Sequence, residues 1–179
     1  MTPFDPAPRP RPAEGELYYL HVPARPRLVT HPVEFLPAAE FLEDEPACKA
    51  LWEMVTAHFK TRSKFLAIWP CVRYVAVHRR GGEVGGALLV SAPVNWQIDY
   101  VVVRPDWRGR GIAEALVAET VNQALARKVP YVMLTSRDGL RPLYEGACGF
   151  TPVGARPAGE PGCPFPAPAA YAAPVPAAS

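Results

Sequence analysis

The pattern of apolar positions is most informative across residues 98–128. Residues 98–103 are rich in β-branched and aromatic side chains, which favours a strand, and Pro105 ends it because proline cannot donate to a sheet ladder. From residue 112 onward, apolar side chains recur every three or four positions, which predicts a helix with one buried stripe. The stripe comprises Ile112, Ala113, Leu116, Val117, Val121 and Leu125.

Apolar and β-branched residues predict further strands at 17–22, 28–36, 73–78, 84–91 and 131–135. The glycine pair at 81–82 joins two of these strands as a hairpin. A helix is expected to begin at 43–46 and to end near Lys60, because proline suits the first helical position and carboxylates favour the positive end of the helix dipole. A second short helix is expected within 61–69, and either 17–22 or 28–36 provides the first strand of the fold.

These elements together predict an α/β (α+β) fold in which a mixed, mostly antiparallel central sheet is flanked by helices. The strand at 131–135 is expected to run parallel to the strand at 98–103, because one crossover helix joins them. The 23 prolines cluster near the ends of the chain. We therefore expect a partly ordered, proline-rich arm at 1–27, one folded domain at 28–155, and a proline- and alanine-rich tail at 156–179 with a final edge strand near Tyr171.

Composition narrows the possible partners. The chain has 179 residues and a formal net charge of +2, which is too small to indicate nucleic-acid binding. Its four cysteines form no C-x-x-C pair and show no zinc spacing, so we predict reduced thiols, no metal and a cytoplasmic protein. No apolar run approaches the length that spans a membrane, so we expect no membrane partner.

The turn between the central strand and its helix is suited to binding an anion. The start of a helix leaves backbone N–H groups without partners and carries partial positive charge. Two glycines permit close approach to the backbone, and two arginines add positive charge. We expect this anion-binding loop (residues 108–114) to hold a phosphate or pyrophosphate through these residues: Arg108, Gly109, Arg110, Gly111, Ile112, Ala113 and Glu114. Alternatively, the glycines serve only a sharp turn.

Two motifs indicate which phosphate ligand to expect. The loop lacks the lysine and Ser/Thr of a P-loop and the third glycine of a dinucleotide fold. Instead, Arg108, Gly111 and Ala113 fit the pattern [QR]-x-x-G-x-[GA] after a V-x-P strand end. This resembles the GNAT (general control non-repressible-related) N-acetyltransferase superfamily. A second, independent match is L-Y-E-x-x-x-G-F at 143–150. The resemblance covers about residues 73–154.

The resemblance implies that acetyl-coenzyme A is the cosubstrate and that an amine attacks its thioester directly. The loop would hold the pyrophosphate, and the central strand would diverge from its parallel neighbour at a cofactor cleft. The pantetheine arm would then pair with the backbone of Val101, Val102 and Val103, and an N–H near Val103 would stabilise the oxyanion. The alternative for the three valines is an ordinary buried strand.

The same resemblance suggests the acid and the base. Tyr144 is placed like the general acid of the family, which would protonate the leaving thiolate. The alternative is an aromatic residue that only packs against the sheet. Asp99 shares a strand face with Gln97, at whose position some members carry a glutamate base, so Asp99 is the candidate general base. The alternative is that Asp99 is only a polar residue on a half-exposed strand. Arg137 stands where the family often has an asparagine that touches the cofactor.

These observations predict an acetyl-CoA-dependent N-acetyltransferase that acts on a primary amine. The alternative is a catalytically idle GNAT-like domain that binds acyl-CoA or a protein partner. The acceptor is expected to be a small-molecule or peptide amine, which the sequence does not identify further. A homodimer is possible, because dimers are common among proteins that look like this one.

Overall fold

The computed structural model describes residues 16–59, 65, 66, 68–92 and 95–155. Within them the chain forms one seven-stranded sheet with the order β2-β3-β4-β5-β6-β1-β7. The pair β5–β6 is parallel and the other neighbouring pairs are antiparallel. The strands are β1 (Glu16–His21), β2 (Glu34–Pro37), β3 (Val72–Arg80), β4 (Glu83–Ser91), β5 (Trp96–Val103), β6 (Val132–Arg137) and β7 (Thr151–Ala155). The predicted mixed sheet with a parallel pair is confirmed.

Helices cover both faces of this sheet. The described α-helices include α1 (Ala38–Leu42), α2 (Glu45–His58) and α3 (Ile112–Ala126). Short 3₁₀ segments occur at Trp69–Cys71, Pro105–Trp107 and Asp138–Leu140, and a π-helix spans Pro142–Ala147. One core packs between the sheet and α3, and a second core packs between the sheet and α1 and α2. No helix among the described residues is long and apolar enough to cross a membrane.

The predicted start of α2 is confirmed. The side chain of Asp44 accepts a hydrogen bond of 3.0 Å from the backbone N–H of Ala47, which satisfies one of the unpaired donors of the first turn. Pro46 lies in the first turn, at the second helical position and not at the first as expected, because the helix begins at Glu45. Leu51 and Val55 are buried below, in the same stripe as Ala47.

The predicted stripe of α3 was partly wrong. Ala113 and Leu125 are only half-buried, whereas four small residues of this helix are buried in addition to the expected ones: Ala115, Ala118, Thr120 and Ala124. Small side chains allow a helix to lie close to several neighbours, and α3 is covered by the sheet and by a second segment of chain. The spacing of the large apolar residues therefore predicted only part of the buried surface of α3.

That second segment is the N-terminal strap (residues 22–33), which links β1 to β2. The predicted strand at 17–22 exists, but it is not at an edge: β1 lies between β6 and β7 and is antiparallel to both. Most of the predicted strand at 28–36 belongs to the strap instead, and only Glu34–Pro37 pairs with β3. The strap crosses α3, where the backbone of Arg27 exchanges hydrogen bonds of 2.7 and 2.8 Å with the side-chain amide of Asn122.

Several predicted features lie outside the described residues. They are the first part of the arm (1–15), most of the short helix within 61–69, and the tail at 156–179 with its edge strand near Tyr171.

Two glycines of β4 fix the position of the anion-binding loop. A Cβ at position 85 would overlap the indole ring of Trp107, and one at position 86 would lie 3.0 Å from Cγ2 of Ile112. The backbone N–H of Arg104 also donates to the carbonyl of Gly85 at 2.8 Å. Because these glycines have no side chain, Trp107 before the loop and Ile112 within it can both pack directly against the backbone of β4.

Gly85→Ala is therefore expected to displace Trp107 and to lower the free energy of unfolding by about 1–3 kcal/mol, since the added methyl group has no space. Urea denaturation measures this change. Gly146→Ala is the matched control, because nothing lies within 4 Å of its Cβ position. Equal stability of the two variants would show that Trp107 is not held against β4.

Candidate active site

A β-bulge interrupts the central strand β5. Tyr100 has a φ of +51°, in the left-handed region that non-glycine residues rarely adopt. The pairing with β4 shifts there, from Leu89 opposite Asp99 to Ala87 opposite Val102. Because of the bulge, Tyr100 packs against the core on the α2 side of the sheet. Val101 and Val103 pack against the core on the α3 side. Nothing in the local sequence indicated this bulge.

The parallel pair β5–β6 separates at the same level. Its ladder contains three residue pairs and ends where Ile98 faces Leu134. Beyond this point β5 continues to Val103 and remains paired with β4 on its other side. The strand edge at 99–103 therefore faces a cleft rather than β6, and the divergence that the family resemblance implied is present.

The anion-binding loop leads from this cleft into α3. Gly109 and Gly111 have φ values of +74° and +82°, so both glycines are required by the backbone. The N–H of Arg108 donates to Pro105 and that of Ala115 to Gly111. Within the described part of the chain, no acceptor is bonded to the backbone N–H groups of 109–114. The positive end of α3 is thus left with unsatisfied donors, as an anion site requires.

His31 of the strap holds the loop from outside. Its Nε2 donates to the carbonyl of Arg110 at 2.6 Å. Because a trans peptide points its C=O and N–H in opposite directions, this bond fixes the orientation of the N–H of Gly111. His78 secures the strap in turn: its Nδ1 donates to the carbonyl of Pro32 at 2.7 Å, and its ring lies edge-on to His31 at 5.5 Å. Sequence analysis missed His31, since 79 residues separate it from its acceptor.

Arg108 connects the loop to the end of the central strand. Its Nε donates to the carbonyl of Val103 at 3.0 Å, and its Nη2 lies 3.5 Å from Nδ1 of His58, at the end of α2. Arg110 instead donates to the carbonyl of Asp106 at 3.4 Å. Both guanidinium groups belong to exposed residues, so both arginines are accessible to an anion.

Asp99 shares a face of β5 with Gln97. This face lies on the α2 side of the sheet, because the alternate residues Trp96 and Ile98 are buried in the core that contains α3. The two carboxylate oxygens of Asp99 accept hydrogen bonds from the hydroxyl of Ser91 at 2.9 Å and from the amide of Gln97 at 3.1 Å. The neighbouring Tyr100 ring packs edge-on against Phe59 and Phe65. Burial, together with the negative charge of Asp99, raises the pKa of Tyr100 above its usual value. A carboxylate thus stands beside an aromatic cluster.

Tyr144 lies on the opposite side of the sheet, in the core that contains α3. It is 5% exposed, and its ring lies 5.8 Å from that of Tyr19. Burial raises the pKa of Tyr144 far above its usual value, so the phenol keeps its proton at neutral pH. The structure therefore does not bring Tyr144 into contact with Asp99: they lie on opposite faces of the sheet. The side chain of Arg137 is outside the described residues.

The family model named Acetyltransferase (GNAT) family matches residues 38–150. The chain belongs to the GNAT family. The match begins at α1 and ends at Phe150, so β1, the strap, β2 and β7 lie outside it. The name of the family model describes acetyltransferases, for which an acyl-CoA is the expected cosubstrate. Among the described residues, no cluster of His, Cys, Asp or Glu could hold a metal.

Solved structures agree with this assignment. A GCN5-related N-acetyltransferase from Sphaerobacter thermophilus is similar over 79% of this chain, with 25% identity and a TM-score of 0.55, and this GNAT chain spans about half of that protein (49%). An acyl-CoA N-acyltransferase from Pseudomonas aeruginosa shares the fold over 66% of this chain and 86% of its own, with 19% identity and a TM-score of 0.56. No curated protein matches the sequence.

His31→Phe is expected to weaken coenzyme A binding about tenfold, because the carbonyl of Arg110 loses its donor and the peptide before Gly111 is free to rotate. Titration calorimetry measures the affinity. His31→Gln retains an N–H donor and should therefore keep most of the wild-type affinity for coenzyme A. If His31 only fills space, the Phe variant should instead bind coenzyme A more tightly than the Gln variant. Equal affinities for the wild-type protein and the Phe variant would contradict the role assigned to His31.

Cys148, four residues after Tyr144, provides a pH test of this region. Burial, with a further contribution from the charge of Glu114, raises the pKa of its thiol to about 12, against 9.0 for the ordinary group. The unfolded chain therefore ionises first, so the stability that Cys148 contributes is complete below pH 9 and is lost as the pH rises toward 12. Urea denaturation of reduced protein at pH 7.5 and 9.5 should show this loss, and Cys148→Ala should show less of it. An equal decrease in both proteins would place the thiol in contact with water.

Proposed function

We propose that this GNAT protein is an acetyl-CoA-dependent N-acetyltransferase that transfers an acetyl group to a primary amine by direct attack on the thioester. One observation carries the proposal: the N–H groups at the start of α3 have no acceptor among the described residues, and they adjoin the strand edge of β5 that β6 leaves unpaired. These two features together suit a ligand with a diphosphate followed by an extended amide chain.

The donor side of the site is formed by the loop and by β5. The backbone of 109–113 and the guanidinium groups of Arg108 and Arg110 would hold the diphosphate, with the N–H of Glu114 beside them. The backbone of Val101, Val102 and Val103 would pair with the pantetheine amides, and a backbone N–H near Val103 would stabilise the developing oxyanion. The carbonyl of Val103 accepts from Nε of Arg108, and its second lone pair could accept from a ligand amide.

The acceptor side is the α2 face, where Asp99 would remove a proton from the incoming ammonium directly or through water. Two hydrogen bonds fix its carboxylate, which keeps one geometry toward a substrate. Tyr144 would protonate the leaving thiolate from the opposite face. Its raised pKa keeps it in the protonated form that this step needs. In this arrangement the thioester lies in the cleft between β5 and β6, with the base and the acid on opposite sides.

A second candidate is a GNAT domain that binds acyl-CoA without turnover. The deep burial of Tyr144 favours it, because a 5% exposed phenol is also what a packing residue shows. Release of free thiol from acetyl-CoA, measured over a panel of amines, distinguishes the two functions. Cofactor binding without turnover on any amine would support the idle domain.

Other features stay predictions. They are the division into an arm at 1–27, an acyltransferase domain at 28–155 and a tail at 156–179, the cytoplasmic location, and the homodimer. The acceptor, a small-molecule or peptide amine, also stays a prediction.

Tyr144→Phe tests the proposed acid. We expect kcat to fall about a hundredfold with an unchanged KM for acetyl-CoA, since the ring remains in the core and only the proton donor is lost. Steady-state kinetics measure both constants. Tyr74→Phe is the control, because it also removes one hydroxyl from a ring that packs against the same core. If both variants retain the wild-type kcat, Tyr144 is a packing residue and not the acid.

A further inference from the structure

The β-bulge of β5 places two successive residues on the same face of the sheet. In a regular strand, Asp99 and Tyr100 would point to opposite sides. Here Asp99 lies on the α2 side, and the ring of Tyr100 packs against the core on that side as well. Their Cα atoms are about 3.8 Å apart, as across any trans peptide. A carboxylate and an aromatic ring therefore stand side by side on the acceptor side of the proposed site.

The ring of Tyr100 is part of a larger group of rings, which we call the aromatic wall (Trp52, Phe59, Phe65, Trp69 and Tyr100). Tyr100 meets Phe59 and Phe65 edge-on, with ring centroids 4.9 and 5.4 Å apart. Phe65 also lies 5.4 Å from Trp52 and 5.6 Å from Trp69. The rings thus form one continuous set that extends from the end of α2 to the bulge.

Packing alone does not account for the exposure of the aromatic wall. Phe41 and Phe150, which only fill the two cores, are 0% and 2% exposed. In the wall Phe65 is similarly buried, whereas the other four rings are only half-buried. Apolar ring surface therefore remains at the border of the core, beside a carboxylate. Such a combination is typical of sites that bind small molecules.

The charges around the aromatic wall favour one ammonium group and oppose a second. The guanidinium of Arg108 lies between the ends of β5 and α2, where it donates to the carbonyl of Val103 and lies 3.5 Å from Nδ1 of His58. Glu53 lies on the exposed face of α2, and the acidic residues at 43–45 lie at the other end of this helix, about 20 Å away.

The carboxylates nearer the end of β5 are already paired. Glu83 and Asp106 form ion pairs with Arg104 at 3.1 and 3.7 Å. In the described part of the chain, Asp99 is therefore the carboxylate that adjoins the aromatic wall. A polyamine bound at Asp99 would bring its further ammonium groups toward arginines, which would repel them.

We propose that the acceptor is a primary monoamine whose ammonium group is joined by a short chain to an aromatic ring, and that the aromatic wall selects it. The ammonium would lie at Asp99 and the ring against Tyr100 and Phe59, since the bulge holds a carboxylate and a ring at neighbouring positions. The inference rests on the proposed function, because it names the acceptor class of that same site.

The reaction of such an acceptor is balanced without any further reagent. The N–C bond of the new amide forms and the C–S bond of the thioester breaks. The ammonium loses two protons, of which one offsets the proton that the thiolate takes and the other is released to water. The products are an N-acetylated arylalkylamine and coenzyme A.

Steady-state kinetics with acetyl-CoA and three amines test the proposal at pH 7.5 and 0.15 M salt. The amines are 2-phenylethylamine, ethylamine, which lacks the ring, and spermidine, which carries additional amino groups. For the wild-type protein, kcat/KM for 2-phenylethylamine should exceed that for ethylamine about a hundredfold, because the bound ring leaves water. It should exceed that for spermidine about tenfold, because the additional charges are repelled.

Phe59→Leu tests the aromatic wall directly, since it removes one ring and keeps an apolar side chain. It should lower the ratio of kcat/KM for 2-phenylethylamine to that for ethylamine about tenfold. Phe35→Leu is the matched control, because Phe35 is also a half-buried ring but packs against the core on the α3 side. This variant should keep the wild-type ratio.

The outcomes separate the inference from the proposed function. If the wild-type protein acetylates ethylamine or spermidine as efficiently as 2-phenylethylamine, or if Phe59→Leu keeps the wild-type ratio, the aromatic wall does not select the acceptor and this inference is wrong. The proposed function holds in that case, because an amine is still acetylated. If neither these three amines nor any other primary amine releases thiol from acetyl-CoA, the proposed function fails and the inference fails with it.

Discussion

The site depends on backbone hydrogen-bonding groups that the fold leaves without partners. A buried or half-buried N–H or C=O must be satisfied by protein, water or ligand, because an unpaired group costs free energy. In this GNAT protein the unpaired groups occur together: β6 stops pairing with β5 at Ile98, and the N–H groups at the start of α3 have no acceptor in the described chain. The bulge at Tyr100 lies next to the point where β5 and β6 stop pairing, and it shifts the register of β5 against β4 there.

The loop that presents these donors is held by three contacts to two other segments of the chain. Trp107 lies on Gly85, Ile112 lies on Gly86, and His31 binds the carbonyl of Arg110. The first two contacts are made to β4 and the third to the strap. A loop fixed in this way loses little conformational freedom when an anion binds, so more of the interaction energy contributes to affinity.

The sheet also separates the two chemical roles. Asp99 is fixed on the α2 face beside an aromatic cluster, and Tyr144 is buried on the α3 face. Between the two faces, the ladder of β5 and β6 ends at Ile98 and Leu134, so the two strands are not paired beyond this level. A thioester in that cleft would be accessible to a base on one side and an acid on the other, which is why two residues that do not touch can belong to one site.

The sequence by itself determined the elements whose cause is local. The cap of α2 by Asp44, the Gly81–Gly82 hairpin and the loop glycines at 109 and 111 follow from the conformations that these residue types favour. Only the tertiary structure decided the bulge at Tyr100, the position of β1 inside the sheet, and the contact from His31 to the loop. These depend on packing and pairing between segments that are far apart in the sequence, so no local pattern of residues could encode them.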